Sequence, residues 1–75
     1  MDEARRQMAH EHLAEAERIA ELGLKHIARQ KQIIVSFSEG GPERALAEEL
    51  LKTMLEGQVL HVEHRDRLRH ELGLA

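Results

Sequence analysis

The chain has 75 residues, of which 41% are apolar and 33% charged, with six His, no Cys and a formal charge of −3 when His is neutral. A core of this size supplies no more than about 3–5 kcal/mol, so one small domain is expected to lean on a metal or on association. Disulfides and thiolate metal sites are excluded by the missing Cys. The near-balanced charge implies no strong polyanion partner.

Abundant Ala, Leu, Glu and Arg match long-helix or coiled-coil composition, and the pattern is too apolar and too periodic for disorder. Asp2 suits an N-cap, so a first helix is predicted over about residues 2–38. Its stripe runs Ala9, Leu13, Ala16, Ala20, Gly23, Ile27, Gln30, Ile34, Phe37, the alternating four-and-three spacing of a left-handed coiled-coil seam. Ile33-Ile34-Val35-Ser36-Phe37 is β-branched, but a lone strand would have no partner, so it is read as helical. Ile33-Ile34-Val35, the longest uninterrupted run of clearly hydrophobic side chains, is far too short to cross a bilayer. The N-terminus lacks the apolar core of a signal peptide, and the expected location is the cytoplasm.

The turn is placed at about residues 39–41, with Gly40 in the left-handed conformation that ends a helix. Pro42 then opens a second helix over about residues 42–72, with Glu43 against its positive end. Gly73 reads as the C-terminal stop, with Leu74 folding back on Leu68. Glu21–Lys25, Glu48–Lys52 and Glu63–Arg67 are spaced to pair on the outer faces. Helix two carries a row at Leu46, Leu50, Thr53, Gly57, Leu60 and His64, flanked by Ala47, Met54, His61 and Leu68.

Folding the chain at residue 40 makes facing residues sum to about 80 in an antiparallel hairpin. That register sets Gly23 against Gly57, Ala16 against His64, Ala20 against Leu60, Ile27 against Thr53, Ile34 against Leu46 and Ile33 against Ala47. The two interior glycines then mark a close backbone approach, which Gly57→Leu is expected to disrupt. Met8, His12, Ile19, Leu22, Leu24 and Ile33 flank the first seam, and Leu51, Leu55 and Val62 lie on another side of helix two. Two helices cannot cover so wide a stripe. Dimerisation into a four-helix bundle, most simply with two-fold symmetry, would cover it.

His12, His26, His61 and His64 fall on or beside the stripe. His61 and His64 share a helix face, and with His12 and Glu63 or Glu15 they are the candidates for a metal site, although neither Glu-x-x-His nor His-Glu-x-x-His occurs. The competing reading is His hydrogen-bonded in a dimer seam, where protonation near or below pH 6 weakens assembly; a carboxylate partner reverses the sign. Arg5, Arg6, Arg65, Arg67 and Arg69 share one end of the hairpin, yet Asp2, Glu3, Glu11, Glu63, Asp66 and Glu71 outnumber them and no aromatic is there to stack on bases. Ser36, Ser38 and Thr53 are the only hydroxyl side chains and none sits in a nucleophile motif. Gly40-Gly41 lacks the Lys-Ser/Thr of a phosphate loop.

The run His26-Ile27-Ala28-Arg29-Gln30-Lys31-Gln32-Ile33-Ile34, with Ala45-Leu46-Ala47-Glu48-Glu49-Leu50-Leu51 and Leu60-His61-Val62-Glu63-His64-Arg65-Asp66-Arg67-Leu68, resembles a group of small proteins from alphaproteobacteria. The resemblance covers most of the chain from about His12 onward and implies a bacterial helical protein; it carries no activity and no site residues.

The expectation is therefore all-α: an antiparallel two-helix hairpin, coiled-coil-like, dimerising into a four-helix bundle. Its interface residues are Leu13, Ala16, Ala20, Gly23, Ile27, Ile34, Leu46, Leu50, Gly57, Leu60 and His64. The functional expectation is a non-enzymatic structural or regulatory interaction module without cofactor or membrane, pairing with itself or another helical protein. The alternatives are a His-lined metal-binding or pH-sensing bundle, with His61 and His64 the candidate metal ligands, and, more weakly, a Rop-like RNA-binding dimer.

Overall fold

Helix α1 begins because Asp2, in extended conformation, accepts a hydrogen bond from the Arg5 backbone N–H at 2.9 Å. In the computed structural model, which describes residues 2–74, α1 spans Glu3–Ser36 and α2 spans Pro42–Glu71. The two helices pack against each other as an antiparallel hairpin with Cα extents of 57 × 17 × 14 Å. There is no strand among the described residues, so the β-branched run before the turn is helical through Ser36.

The helix stops earlier than its periodicity suggests. Phe37 leaves helical space at φ −84°, ψ 89°, and its carbonyl accepts from the Arg44 guanidinium at 3.2 Å. Gly40 is therefore not the left-handed cap expected of it. The glycine that uses its freedom is Gly41, at φ 145°, ψ −178°, a region essentially closed to L side chains. It is the N-cap of α2, its carbonyl accepting from Ala45 N–H at 3.0 Å, with Pro42 in the first turn. At the other end Gly73, at φ 73°, makes a Schellman turn: Leu74 N–H reaches Arg69 O at 2.8 Å and Gly73 N–H reaches His70 O at 3.0 Å. That turn throws Leu74 outward. Leu72, one turn beyond Leu68 on the same face, packs on the core in its place.

The buried row of α1 is Leu13, Ala16, Ala20, Ile27, Gln30 and Ile34, with Ala9, Gly23 and Phe37 half-buried. At the open end Leu13 and Ala16 close on Leu68, with Leu72 beside them. The middle is thinner, and two glutamines join the helices there. Gln30 Nε2 donates to Ala47 O across the hairpin at 2.9 Å, and Gln58 Nε2 donates to Ala20 O at 2.8 Å. Both side chains are buried, at 7% and 8% exposure. A buried amide bonded across a seam penalises every other register, because sliding the helices leaves it unpaired.

Gln58 fits because Gly23 has no side chain. A Cβ on Gly23 would overlap the Gln58 amide, whose Oε1 is buried and has no hydrogen-bond partner among the described residues. The oxygen rests over the Gly23 backbone, in the space that a side chain at that position would fill. The level expected for Gly23 is thus right to within one residue. Its neighbour is Gln58, however, and a Cβ on Gly57 would meet nothing within 4 Å.

The two glycines should therefore answer substitution with opposite signs. Gly57→Ala should raise stability by up to about 1 kcal/mol through helix propensity. Gly23→Ala has the same gain available, but displacing the Gln58 amide outweighs it, for a net loss of about 1–2 kcal/mol. Urea unfolding followed by circular dichroism at one protein concentration measures both; a stabilising Gly23→Ala would contradict the notch.

Candidate interaction surface

Helix α2 is turned by one residue, roughly 100°, from the orientation its leucine row suggests. Leu46, Leu50 and Leu60 are 67%, 51% and 65% exposed, and Thr53 and His64 are exposed with them. Facing α1 instead is the row one residue on: Ala47, Leu51, Met54 and Gln58, then Arg65, Leu68 and Leu72, all buried or half-buried. The pairs Ala20–Leu60, Ala16–His64, Ile27–Thr53 and Ile34–Leu46 are accordingly not the facing pairs of this hairpin. A signal for this was present. Continued by heptads, the Leu46 row runs into Arg67 and Glu71, whereas the Ala47 row runs into Leu68 and Leu72.

The rotation separates the remaining apolar residues onto two sides. On one side a groove of about 330 Å³ is lined by His12, Glu15, Ala16 and Ile19 of α1 and His64 of α2. Stepping by heptads, the same side carries Met8, Leu22, His26 and Ile33 from α1 and Leu46, Leu50, Thr53, Gly57 and Leu60 from α2. Met8, Leu22, Ile33, Leu46, Leu50 and Leu60 are all exposed there. Arg29 and Glu15 are the charged side chains along the middle of this first face, Glu15 being held by Arg18; Arg5, Glu43, Arg67 and Glu71 mark its ends. Of the residues expected at helix contacts, Leu13, Ala16, Ala20, Ile27 and Ile34 are buried inside the hairpin, with Gly23 half-buried. Leu46, Leu50, Gly57, Leu60 and His64 line the first face instead.

The opposite side holds a groove of about 420 Å³ between Leu24, Ile27 and Lys31 of α1 and Leu55, Gln58, Val59, Val62 and Glu63 of α2. Its surroundings are laced with charge. Glu17 pairs with Arg69 across the helices at 3.0 Å, Arg44 with Glu48 at 3.0 Å and Lys25 with Glu21 at 3.8 Å. Glu48 thus chooses Arg44 over Lys52. Neither Glu63 nor Arg67 is in an ion pair among the described residues. At the open end Arg5, Arg65 and Arg69 each have a carboxylate partner, Asp2, Asp66 and Glu17 respectively.

All six His are exposed in the hairpin, so none is a core histidine of the chain. His12 and His64 share the first groove with Glu15, but among the described residues no group of three or more His, Asp and Glu is placed to hold a metal ion. His61 and His64 share a helix without a third donor. Among the described residues no helix is long and apolar enough to cross a membrane.

The Glu15 carboxylate is engaged by its neighbour: Arg18 Nε donates to it at 3.1 Å, and a second guanidinium nitrogen closes the fork. Those hydrogen bonds, with the Arg18 charge behind them, hold the carboxyl below its ordinary 4.5. A depressed folded-state value stabilises above the unfolded one and is lost as pH falls. Glu15→Gln should therefore be slightly less stable than the parent at pH 7 and indistinguishable from it below the folded-state value. Melting curves over that range test this; an equal gap at both ends would contradict it. The pair is exposed, so the gap is small.

Fold and surface together define the class: an all-α antiparallel helical hairpin with a charge-poor apolar face left open on one side. The sequence matches no protein-family model, and no curated protein or solved structure is significantly similar to it.

Proposed function

We propose that this chain is a small non-enzymatic interaction module that pairs with a second copy through its first face to form a four-helix bundle. The supporting observation is the concentration of six large exposed apolar side chains on one side of a two-helix layer, with only Arg29 and Glu15 charged among them away from its ends. Monomeric proteins rarely leave such a stripe in water. The hairpin measures 57 by 17 Å, roughly 1,000 Å² in projection, which meets the ~800 Å² per partner of a standard interface. Thr53, small and exposed, and Gly57, half-buried with open space where a Cβ would stand, leave room between the leucines for side chains of the second copy to enter, as in knobs-into-holes packing. Sedimentation velocity is the test. A dimer at micromolar concentration is expected, and a monomer throughout the micromolar range would overturn the proposal.

A further inference from the structure

The second groove has a polarity that the first face lacks. Lys31 lines its end nearer the turn and Glu63 its end nearer the chain termini, with Leu24, Leu55 and Val59 between them. Neither Lys31 nor Glu63 is in an ion pair among the described residues; Lys52 and Glu56, on either side of Leu55, are unpaired as well, the cation again nearer the turn and the anion nearer the termini. Leu24, Leu55 and Val59 are exposed while Ile27 and Gln58 form a buried floor. The groove is thus an apolar trough with an unmatched cation at one end and an unmatched anion at the other.

We infer that this groove is a second self-pairing surface, occupied by the same groove of another copy of the chain lying in the opposite direction. A two-fold axis lying in the interface and crossing the helices obliquely, at the level of Leu24 and Leu55, brings Lys31 on α1 of each copy over Glu63 on α2 of the other. One rotation makes both ion pairs, because a contact of residue i with j is repeated as j with i. The leucines at the axis meet their counterparts. The opposite arrangement, with turns at the same end, leaves all four charges beside apolar surface without partners, a cost that disfavours it.

The consequence extends beyond the dimer proposed above, and only the length of the assembly rests on that reading. The first face and the groove lie on opposite sides of one layer, so their two-fold axes do not intersect. Two such axes generate an open stack of hairpins, not a closed group.

Charge exchange tests this directly. Sedimentation velocity of the full chain at rising concentration should show species larger than a dimer. Lys31→Glu and Glu63→Lys should each stop growth at the dimer, weakening the second contact at least tenfold, and the double exchange should restore it. Both residues are exposed on helices, and circular dichroism verifies that each variant remains folded. Wild-type protein that never passes a dimer, with that dimer insensitive to Lys31→Glu, or a double exchange that restores nothing, overturns the groove pairing while leaving the first-face dimer intact. Growth that survives Lys31→Glu also overturns it. If Leu50→Glu leaves assembly unchanged, the first-face reading fails instead, and a residual dimer sensitive to Lys31→Glu still supports the groove.

Discussion

Leu50→Glu is expected to abolish pairing through the first face, weakening it at least a hundredfold. Leu50 is half-exposed and lies one turn from exposed Leu46, so within a single hairpin a glutamate there keeps its carboxylate in water. In a symmetric dimer the substitution enters twice. Each carboxylate would be covered by apolar surface, with Arg29 the one cation near its level, and burying a charge that is not fully paired costs several kcal/mol even after relaxation. Each factor of ten in affinity corresponds to about 1.4 kcal/mol, so a hundredfold loss is a modest expectation. Leu60→Glu should behave alike, while Gln32→Glu, exposed on the outer side of α1, should change nothing. Thermal stability provides a second readout. Association with the folded state makes the melting temperature rise with protein concentration, and that dependence should vanish in Leu50→Glu. A variant that sediments as the parent does, at equal concentration, would show that the face is not an interface.

The second large effect is expected inside the hairpin. Leu13→Ala removes the main apolar side chain that α1 contributes to the cluster with Ala16, Leu68 and Leu72. Large-to-small changes in a core cost about 2–5 kcal/mol, and at this site the spread is set by how far Leu68 and Leu72 can move inward. Against a total of about 3–5 kcal/mol for a domain of this size, that is enough to lose most of the helical signal at physiological temperature. Leu46→Ala removes the same atoms from an exposed position and should shift the intrinsic stability of the hairpin by no more than about 0.5 kcal/mol. Urea melts of both variants separate the cases; equal losses would mean that Leu46 is covered after all.

The contrast between those two leucines shows how far the sequence can be read. The seam of α1 was legible residue by residue, because only one row of that helix keeps Leu13, Ala16, Ala20, Ile27 and Ile34 in heptad step. The caps at Asp2, Pro42 and Gly73 were legible too, since each rests on the geometry of a single backbone position. Helix α2 was not, because it carries two adjacent apolar rows and periodicity is a property of one helix at a time. The expectation that Gly23 and Gly57 touch failed for the same reason: they share a level, but a level says nothing about rotation.

What the amino-acid sequence determined by itself is a pair of long helices broken near Gly41, antiparallel because the link is short, with more apolar surface than two helices can hide. Only tertiary structure decided which face of α2 turns inward. The decision is a two-body one: Gln58 needs the space that Gly23 leaves and the carbonyl of Ala20, Gln30 needs the carbonyl of Ala47, and Leu13 needs Leu68 and Leu72. Once those are satisfied, Leu46, Leu50 and Leu60 have nowhere to go but outward, and the surface offered to a second molecule follows.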